Sequence, residues 1–272
     1  MASRDEFLAS LAAGAGAGIV VDVTMYPIDT IKTMLQSNKS LKDVGGIRGM
    51  YRGISSAAAA SAPCAATFFG TYEFTKAALT NEFGEAYAPL CHMTAASAGE
   101  TAAAVIRTPF EIVKQQLQAK IHDRPTTAVR HIWQTQGFKG FFNGYFSLVL
   151  REVPFSFIQF PLYEKFKHLL AEHVANTTVA DLPPFFGSCA GAAAGGIAAA
   201  ITCPLDVVKT RIMVNSDSRG MGAVLMETYQ REGMAALFSG LAPRVAWITI
   251  GGFVFFGAYE SCRKMLTQKP AA

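Results

Sequence analysis

Long apolar stretches alternate with polar connections along the whole chain. Each stretch contains at most two charged residues and is about as long as a helix that crosses a ~30 Å hydrocarbon core. The stretches cover approximately residues 7–26, 54–72, 88–108, 145–163, 184–204 and 241–259. A soluble all-helical protein with buried helices is the alternative, but six such stretches in one chain of 272 residues argue against it. The pattern therefore predicts six transmembrane helices.

Three sequence patterns recur in the same order and divide the chain into repeats. The first pattern is P-x-[DE]-x-[IV]-K, and it begins at Pro27, Pro109 and Pro204. A short aromatic segment follows each proline and ends in a glycine, at Gly53, Gly144 and Gly240. Nineteen residues after each glycine comes Tyr-Glu-x-x-basic, at Tyr72, Tyr163 and Tyr259. We therefore expect a single domain over residues 1–272 with repeats of approximately 7–80, 88–171 and 184–266.

The three prolines predict the arrangement of the helices. A proline inside a helix removes a backbone hydrogen bond and bends the helix. Because the prolines occupy matched positions, three helices should bend alike and converge at one end. The sequence thus predicts an all-α membrane protein in which three two-helix repeats form a pseudo-threefold bundle.

Composition excludes several other classes of protein. Hydrophobic residues make up 51% of the chain and charged residues 16%, against about 25% charged residues in a typical soluble domain. The net charge of +4 is too small to indicate nucleic-acid binding, and no basic run alternates with aromatic residues. The five cysteines form no C-x-x-C pair, so neither a zinc site nor a disulfide framework is indicated. The N-terminal MASRDEFLAS resembles neither a secretory signal nor a transit peptide, so we expect any organelle address to be internal.

The three patterns together resemble the mitochondrial carrier family over about residues 7 to 266. The resemblance implies six transmembrane helices, three short matrix-side helices and both termini in the intermembrane space. It also implies a multi-pass protein of the mitochondrial inner membrane, with a plastid membrane as the alternative. Transport would proceed by alternating access between two networks of charged residues.

Four segments resemble, within that family, the carriers of S-adenosylmethionine: PIDTIKTMLQS, AASAGETAAAVIRTPFEIVKQ, LREVPFSFIQFPLYE and PLDVVKTRI. This implies a secondary transporter that imports S-adenosylmethionine in exchange for S-adenosylhomocysteine. A carrier of another amino acid or nucleotide-type metabolite is the alternative. A membrane-bound enzyme would need a catalytic constellation, and the five histidines show no ligand spacing. We therefore expect a monomer that is not an enzyme and uses no cofactor or metal.

The acid and the lysine of each proline pattern lie three residues apart, so they can pair within one helix. The resemblance implies instead a ring between repeats, which we call the matrix network. Its predicted pairs are Asp29 with Lys114, Glu111 with Lys209, and Asp206 with Lys32. Gln36 and Gln118 resemble the glutamines that brace this ring, and Met213 takes the third position.

By the same resemblance, the Tyr-Glu-x-x-basic patterns form a second ring, which we call the cytoplasmic network. Its predicted pairs are Glu73 with Lys167, Glu164 with Arg263, and Glu260 with Lys76. By the resemblance, Tyr72, Tyr163 and Tyr259 brace it. Pairs within one helix are again the alternative.

Two groups of glycines have different predicted roles. Gly53, Gly144 and Gly240 resemble the cardiolipin sites of the family, where amides at a helix start can bind phosphate. Gly14, Gly16 and Gly18 lack the context of a nucleotide-binding loop. Gly14 with Gly18, and Gly191 with Gly195, form G-x-x-x-G patterns that indicate close helix packing.

Candidates for substrate binding are the charged or aromatic residues of the apolar stretches that have no counterpart in the other repeats. A charge inside a membrane bundle usually faces a cavity or a partner. These candidates are Asp22, Glu100, Arg151, Glu152, Arg244 and Trp247. Structural ion pairs, such as Arg107 with Glu100, are the alternative.

The chemical groups of S-adenosylmethionine suggest which candidate residue binds which part of the substrate. Arg151 and Glu152 match the carboxylate and the ammonium of its amino-acid end. Asp22 matches the sulfonium cation, with Glu100 as a second acid. Trp247 offers a stacking face, and a position facing lipid or the core is the alternative.

Overall fold

The computed structural model describes residues 4–84, 87–175, 177–179, 182–216 and 219–267. Within these residues the chain is helical and contains no strand, which confirms the prediction of an all-α protein. The helices are α1 (Arg4–Gln36), α2 (Gly46–Met50), α3 (Ile54–Phe83), α4 (Ala88–Gln118), α5 (Pro125–Gly140), α6 (Tyr145–Leu170), α7 (Pro184–Ile201), α8 (Cys203–Asn215), α9 (Met221–Glu232), α10 (Met234–Leu237) and α11 (Leu241–Thr267). A 3₁₀ turn (Leu41–Val44) precedes α2, and a π turn (Ala171–Ala175) follows α6.

Each repeat contains two long helical segments with shorter helices between them. The long segments are α1 and α3, α4 and α6, and α7–α8 and α11. The connection in the first repeat carries only a 3₁₀ turn and the five-residue α2, whereas α5 has 16 residues and α9 has 12. The first connection is also the shortest in sequence, so its helix has fewer residues available.

The prolines do not act alike on the three helices. Pro27 and Pro109 lie inside the continuous helices α1 and α4. In the third repeat the helix is interrupted at Thr202, and Pro204 lies in the first turn of α8. A proline is tolerated there because its missing N–H would have no partner within the helix. The third helix is thus interrupted beside its proline, whereas the first two are continuous, and three equal bends stay a prediction.

Helix length and hydropathy, applied to the described residues, single out one possible membrane span, Met234–Val254. The sharply bent pair Phe185–Ile201 and Cys203–Asn215 is a second one if it is counted as a single span. Among the other long helices, α1, α3 and α4 are rich in Ala, Gly, Ser and Thr, which suits close packing between helices. In α6 it is polar residues such as Arg151, Glu152 and Gln159 that lower the mean hydropathy. Six spans thus stay a prediction.

The chain folds into two compact units. One unit comprises residues 1–32, 156–201 and 241–272. In this unit α7 packs closely against α11, since a Cβ atom added to Gly195 would lie 2.7 Å from Ile248 Cγ2. A Cβ atom added to Gly191 would be in ordinary van der Waals contact with the ring of Tyr163. A Cβ atom added to Gly18 would have no other atom within 4 Å. The prediction of close helix packing is therefore confirmed for Gly195 and wrong for Gly18. The surroundings of Gly14 and Gly16 are not among those that the structure describes.

The second unit comprises residues 33–155 and 202–240. Here α4 approaches α3 closely, because a Cβ on Gly99 would lie 2.9 Å from the carbonyl oxygen of Phe68. A core of buried apolar side chains joins α4, α5, α6 and α8: Ala104, Ile112, Val113, Leu117, Ala128, Ile132, Leu148 and Met213. The burial of each large side chain in such a core contributes roughly 1.5–3 kcal/mol.

Backbone conformation repeats with the sequence patterns. Gly53, Gly144 and Gly240 all have positive φ, at 85°, 95° and 75°. Glycine adopts this conformation without the steric cost of a side chain, which explains its matched positions before α3, α6 and α11. The segments that carry the proline patterns end near non-glycine residues of positive φ, namely Asn38, Lys120 and Ser216. No sequence pattern indicated this second feature.

Candidate functional site

Lys209 and Glu111 of the predicted matrix network form a direct ion pair between repeats. Lys209 Nζ in α8 lies 3.1 Å from Glu111 Oε1 in α4. The same oxygen accepts a hydrogen bond of 2.8 Å from Gln115 Nε2. The side chains of Lys209 and Glu111 are only 7% and 19% exposed, so water screens their attraction poorly. This contact has the pairing that a ring between repeats requires.

Gln36 connects the end of α1 to α8 and is fully buried. Its Nε2 donates a hydrogen bond of 2.7 Å to Asp206 Oδ2, and its Oε1 accepts one of 2.8 Å from Thr210. Gln118 Oε1 accepts a hydrogen bond of 3.0 Å from Thr33 Oγ1. Both glutamines therefore form bonds between repeats, and Gln36 binds an acid of the matrix network.

The two other predicted pairs, Asp29 with Lys114 and Asp206 with Lys32, each join residues of the two different units and stay predictions. Met213, at the third brace position, is fully buried. A Cβ on Gly144 would lie 2.9 Å from its Cγ. The thioether thus fills core space at this position.

An arginine–glutamate link in the third repeat was missed by the sequence analysis. Arg211 is buried, and its guanidinium binds both carboxylate oxygens of Glu232, with Nη2 2.9 Å from Oε2. Its Nε donates to the main-chain oxygen of Gln36 at 3.0 Å. The hydrogen bonds from Arg211 lower the pKa of Glu232. A comparison of the repeats could have found the link, because the equivalents of Arg211 are Met34 and Gln116.

Two of the substrate candidates lie beside the matrix network. The guanidinium of Arg151 contacts the carboxylate of Glu152, the next residue along α6. Arg151 Nε also lies 3.6 Å from Asp206 Oδ1, which is beyond ordinary hydrogen-bond distance. The two side chains are 15% and 17% exposed. A candidate substrate residue is thus next to the acid that Gln36 holds.

The other candidates are placed differently. Glu100 accepts a hydrogen bond from Arg107, so the ion pair that the sequence left as the alternative is present. In the other unit Asp22 is exposed on α1, Arg244 is 2% exposed and Trp247 is partly buried on α11. The availability of Glu100 as a second acid is therefore reduced, because its carboxylate is already engaged.

The predicted cytoplasmic network shows pairs within single helices. Lys76 Nζ lies 3.6 Å from Glu73 Oε2, and Lys167 Nζ lies 3.1 Å from Glu164 Oε1. The glutamate side chains are 65% and 57% exposed. At such exposure water screens the charges, and a partner three residues away needs little ordering of the chain. The local alternative thus describes both lysines in this conformation, and a ring between repeats stays a prediction.

The tyrosines of the same patterns contact the lysines of their own helices. Lys76 Nζ lies 5.6 Å from the ring centre of Tyr72, and Lys167 Nζ lies 4.8 Å from that of Tyr163. Tyr72 Oη also lies 2.7 Å from Nδ1 of His92 in α4. The third set, Tyr259, Glu260 and Arg263, lies outside the described side chains.

Helix starts are the remaining predicted sites. Gly53 forms the N-cap of α3 and provides no side-chain hydrogen bond to the amides of the first turn. Gly144 and Gly240 directly precede α6 and α11. Among the described residues, no three or more His, Cys, Asp or Glu side chains are grouped so that they could hold a metal ion.

Comparisons with known proteins agree with the repeat structure. The family model of the mitochondrial carrier protein matches residues 3–83, 85–174 and 181–270. The chain is 45% identical to the mitochondrial S-adenosylmethionine carrier protein of Danio rerio, over 97% of this chain and 99% of that one. It is 44% identical to the protein of the same name from Mus musculus, over 96% of both chains. It is 40% identical to S-adenosylmethionine carrier 1, chloroplastic/mitochondrial, of Arabidopsis thaliana, over 94% of this chain and 78% of that one. The chain belongs to the mitochondrial carrier family.

Proposed function

We propose that this chain imports S-adenosylmethionine across the mitochondrial inner membrane in exchange for S-adenosylhomocysteine. The substrate assignment is supported by the 44% and 45% identity, over nearly the full length, to proteins named as S-adenosylmethionine carriers. The observation that carries the mechanism is the position of Arg151 and Glu152 beside Asp206 of the matrix network.

Arg151 and Glu152 bind the amino-acid end of the substrate. A planar guanidinium forms two parallel hydrogen bonds to a carboxylate, and a carboxylate side chain matches an ammonium group. The two side chains now bind each other, so the substrate exchanges one internal ion pair for two intermolecular ones. This exchange limits the cost of removing either charge from water.

Asp22 provides the negative charge for the sulfonium. Its side chain is exposed on α1. Glu100 is the second acid, and its carboxylate binds Arg107. A sulfonium has no N–H or O–H to donate, so its recognition depends on charge close by. S-adenosylhomocysteine lacks that charge and would leave Asp22 without this attraction.

Substrate binding is linked to the matrix network through Arg151. Its Nε is 3.6 Å from Asp206 Oδ1, and a substrate carboxylate competes with this aspartate for the guanidinium. When Arg151 binds the substrate, its attraction to Asp206 weakens, and this favours opening of the matrix network. A ligand shifts such an equilibrium because it binds the two states with different affinities. The Lys209–Glu111 contact and the local pairs at Lys76 and Lys167 fit a state that is open to the cytoplasm.

The membrane arrangement follows the family. Six transmembrane helices in a pseudo-threefold bundle surround the substrate, and the protein acts as a monomer. The amides that follow Gly53, Gly144 and Gly240 bind the phosphates of cardiolipin. Gly53 offers no side-chain cap to the first turn of α3, which supports this proposal, because a helix start favours an anion. The amides of Ile54 and Ser56 donate to the main-chain oxygens of Tyr51 and Gly53 in this structure.

Exchange in liposomes tests the proposal. Purified protein should take up labelled S-adenosylmethionine when S-adenosylhomocysteine is inside, and other amino acids or nucleotides should compete poorly. Arg151→Lys should impair uptake although it keeps the charge, because the bidentate geometry is lost. Preference for another amino acid or nucleotide would overturn the substrate assignment, and normal uptake by Arg151→Ala would end the role of Arg151.

The sulfonium assignment has its own test in binding. Asp22→Asn should weaken S-adenosylmethionine more than S-adenosylhomocysteine, and each 1.4 kcal/mol of lost attraction changes the affinity ratio about tenfold. Glu82→Gln, at an exposed acid near the end of α3, is the matched control and should leave the ratio unchanged. An equal loss for both ligands in Asp22→Asn would show that Asp22 does not recognise the sulfonium.

A further inference from the structure

One tyrosine of the Tyr-Glu-x-x-basic patterns is hydrogen-bonded to the next repeat. Tyr72 Oη in α3 lies 2.7 Å from Nδ1 of His92 in α4. The distance is that of a good hydrogen bond between a hydroxyl and an imidazole nitrogen. The bond connects the second helix of the first repeat to the first helix of the second repeat.

Two further contacts of the Tyr72 ring come from its own helix. The ring of Phe68 stacks on it with centres 6.1 Å apart and planes 8° apart. Lys76 lies over the ring at 5.6 Å and pairs with Glu73 at 3.6 Å. Among these contacts, the hydrogen bond to His92 is the one that depends on the position of α4.

The other repeats show that this bond departs from the pseudo-symmetry. His92 lies seventeen residues before Pro109, and the residue seventeen before Pro204 is Gly187. A Cβ added to Gly187 would lie 3.9 Å from Tyr163 Oη, so this tyrosine meets the next helix at the equivalent place. Glycine has no side chain with which to bind the hydroxyl. The tether is therefore present between repeats one and two and is missing at the equivalent place between repeats two and three.

We propose that His92 is a latch that holds Tyr72 in the cytoplasm-open conformation. This inference rests on the proposed function, in which the carrier closes on the cytoplasmic side after the substrate binds. In this proposal, closure moves Tyr72, Glu73 and Lys76 into the cytoplasmic network and carries the Tyr72 hydroxyl away from His92, which breaks the bond. Because the latch occurs at one interface, this interface resists closure more than its Tyr163 equivalent. His92 acts through Tyr72 and is thus a positioning residue.

Substitution at His92 should move the balance between the open and closed states. His92→Ala removes the bond and, unlike glycine, keeps good helix propensity. The loss of one neutral hydrogen bond should reduce the open population relative to the closed one about threefold to tenfold. The apparent KM for external S-adenosylmethionine should rise by up to that factor, while the maximal exchange rate stays equal or increases. His92→Asn should recover the wild-type KM, because its amide oxygen can accept the bond.

Two further variants separate the latch from a general defect. Tyr72→Phe should reproduce the effect of His92→Ala, and the double variant should add nothing, because both changes remove the same bond. His168→Ala, at an exposed histidine on α6, is the matched control and should leave the KM unchanged. Additive effects of the two changes, or an unaltered KM in His92→Ala, would overturn the latch.

A measurement without substrate makes the outcome independent of the proposed function. A cysteine introduced as Gly187→Cys, in a protein whose native cysteines are replaced, reports closure through its reaction with a water-soluble maleimide. His92→Ala should slow this labelling by up to about threefold, and His92→Asn should restore the rate. If the wild type does not exchange S-adenosylmethionine, the proposed function alone is wrong. If the labelling rate is the same with and without His92→Ala, the latch alone is wrong.

Discussion

The ion pair between Lys209 and Glu111 gives the sharpest test of the matrix network. The test exchanges the two charges, with the single variants Glu111→Lys and Lys209→Glu and the double variant that carries both. Each single variant places two like charges at positions of α4 and α8 whose wild-type charges lie 3.1 Å apart. The double variant restores opposite charges with reversed polarity.

The structure sets the expected magnitude. At a separation of 3.1 Å and an effective dielectric constant of about 20, the attraction is about 5 kcal/mol before desolvation is subtracted. The loss of one partner from a buried pair costs about 3–5 kcal/mol, because the other charge stays buried. Each single variant should therefore unfold well below the wild type. The double variant should recover about 1–3 kcal/mol, and recovery should be incomplete because Gln115 donates to an acceptor at position 111.

Thermal unfolding and liposome exchange measure the two consequences. The pair Arg219 and Glu227, 2.7 Å apart and 55% and 28% exposed, is the control on the same side of the third repeat. Its exchange should change stability by less than about 1 kcal/mol and leave transport intact. If the double variant of Glu111 and Lys209 is no more stable and no more active than the single ones, the pairing between repeats does not support the fold or the gate.

Two further predictions concern packing and charge. Gly195→Ala should destabilise the protein by about 1–3 kcal/mol, because its Cβ would lie 2.7 Å from a methyl carbon of α11, whereas Gly18→Ala has open space and should be neutral or stabilising. Equal melting temperatures for the two variants would contradict this reasoning. Glu232→Gln should lower the melting temperature at pH 7 more than near pH 3, and more than Glu227→Gln does, with thermal unfolding against pH as the measurement. Hydrogen bonds from Arg211 lower the pKa of Glu232, so its stabilisation is present above the ordinary carboxyl pKa and is lost as the pH falls below it. A pH-independent loss would contradict an ionic role.

The sequence by itself determined the helices, the repeats and the family. Apolar length and proline and glycine positions act through the local backbone, so they can be read without knowledge of distant contacts. The glycines at 53, 144 and 240 are an example, because their positive φ follows from the residue type at a matched turn. The interruption at Thr202 was not visible, since the same proline pattern continues smoothly through α1 and α4.

Only the tertiary structure decided which charges meet. An acid and a base three residues apart permit both a local pair and a pair between repeats, and the sequence spacing is the same at both ends of the helices. Burial made the difference: Lys209 is nearly enclosed and binds Glu111 of another repeat, whereas Glu73 is exposed and stays with Lys76 of its own helix. A buried charge must find a partner wherever the fold places one, because removal from water is costly. A solvated charge gains little from a distant partner, so the nearest one suffices.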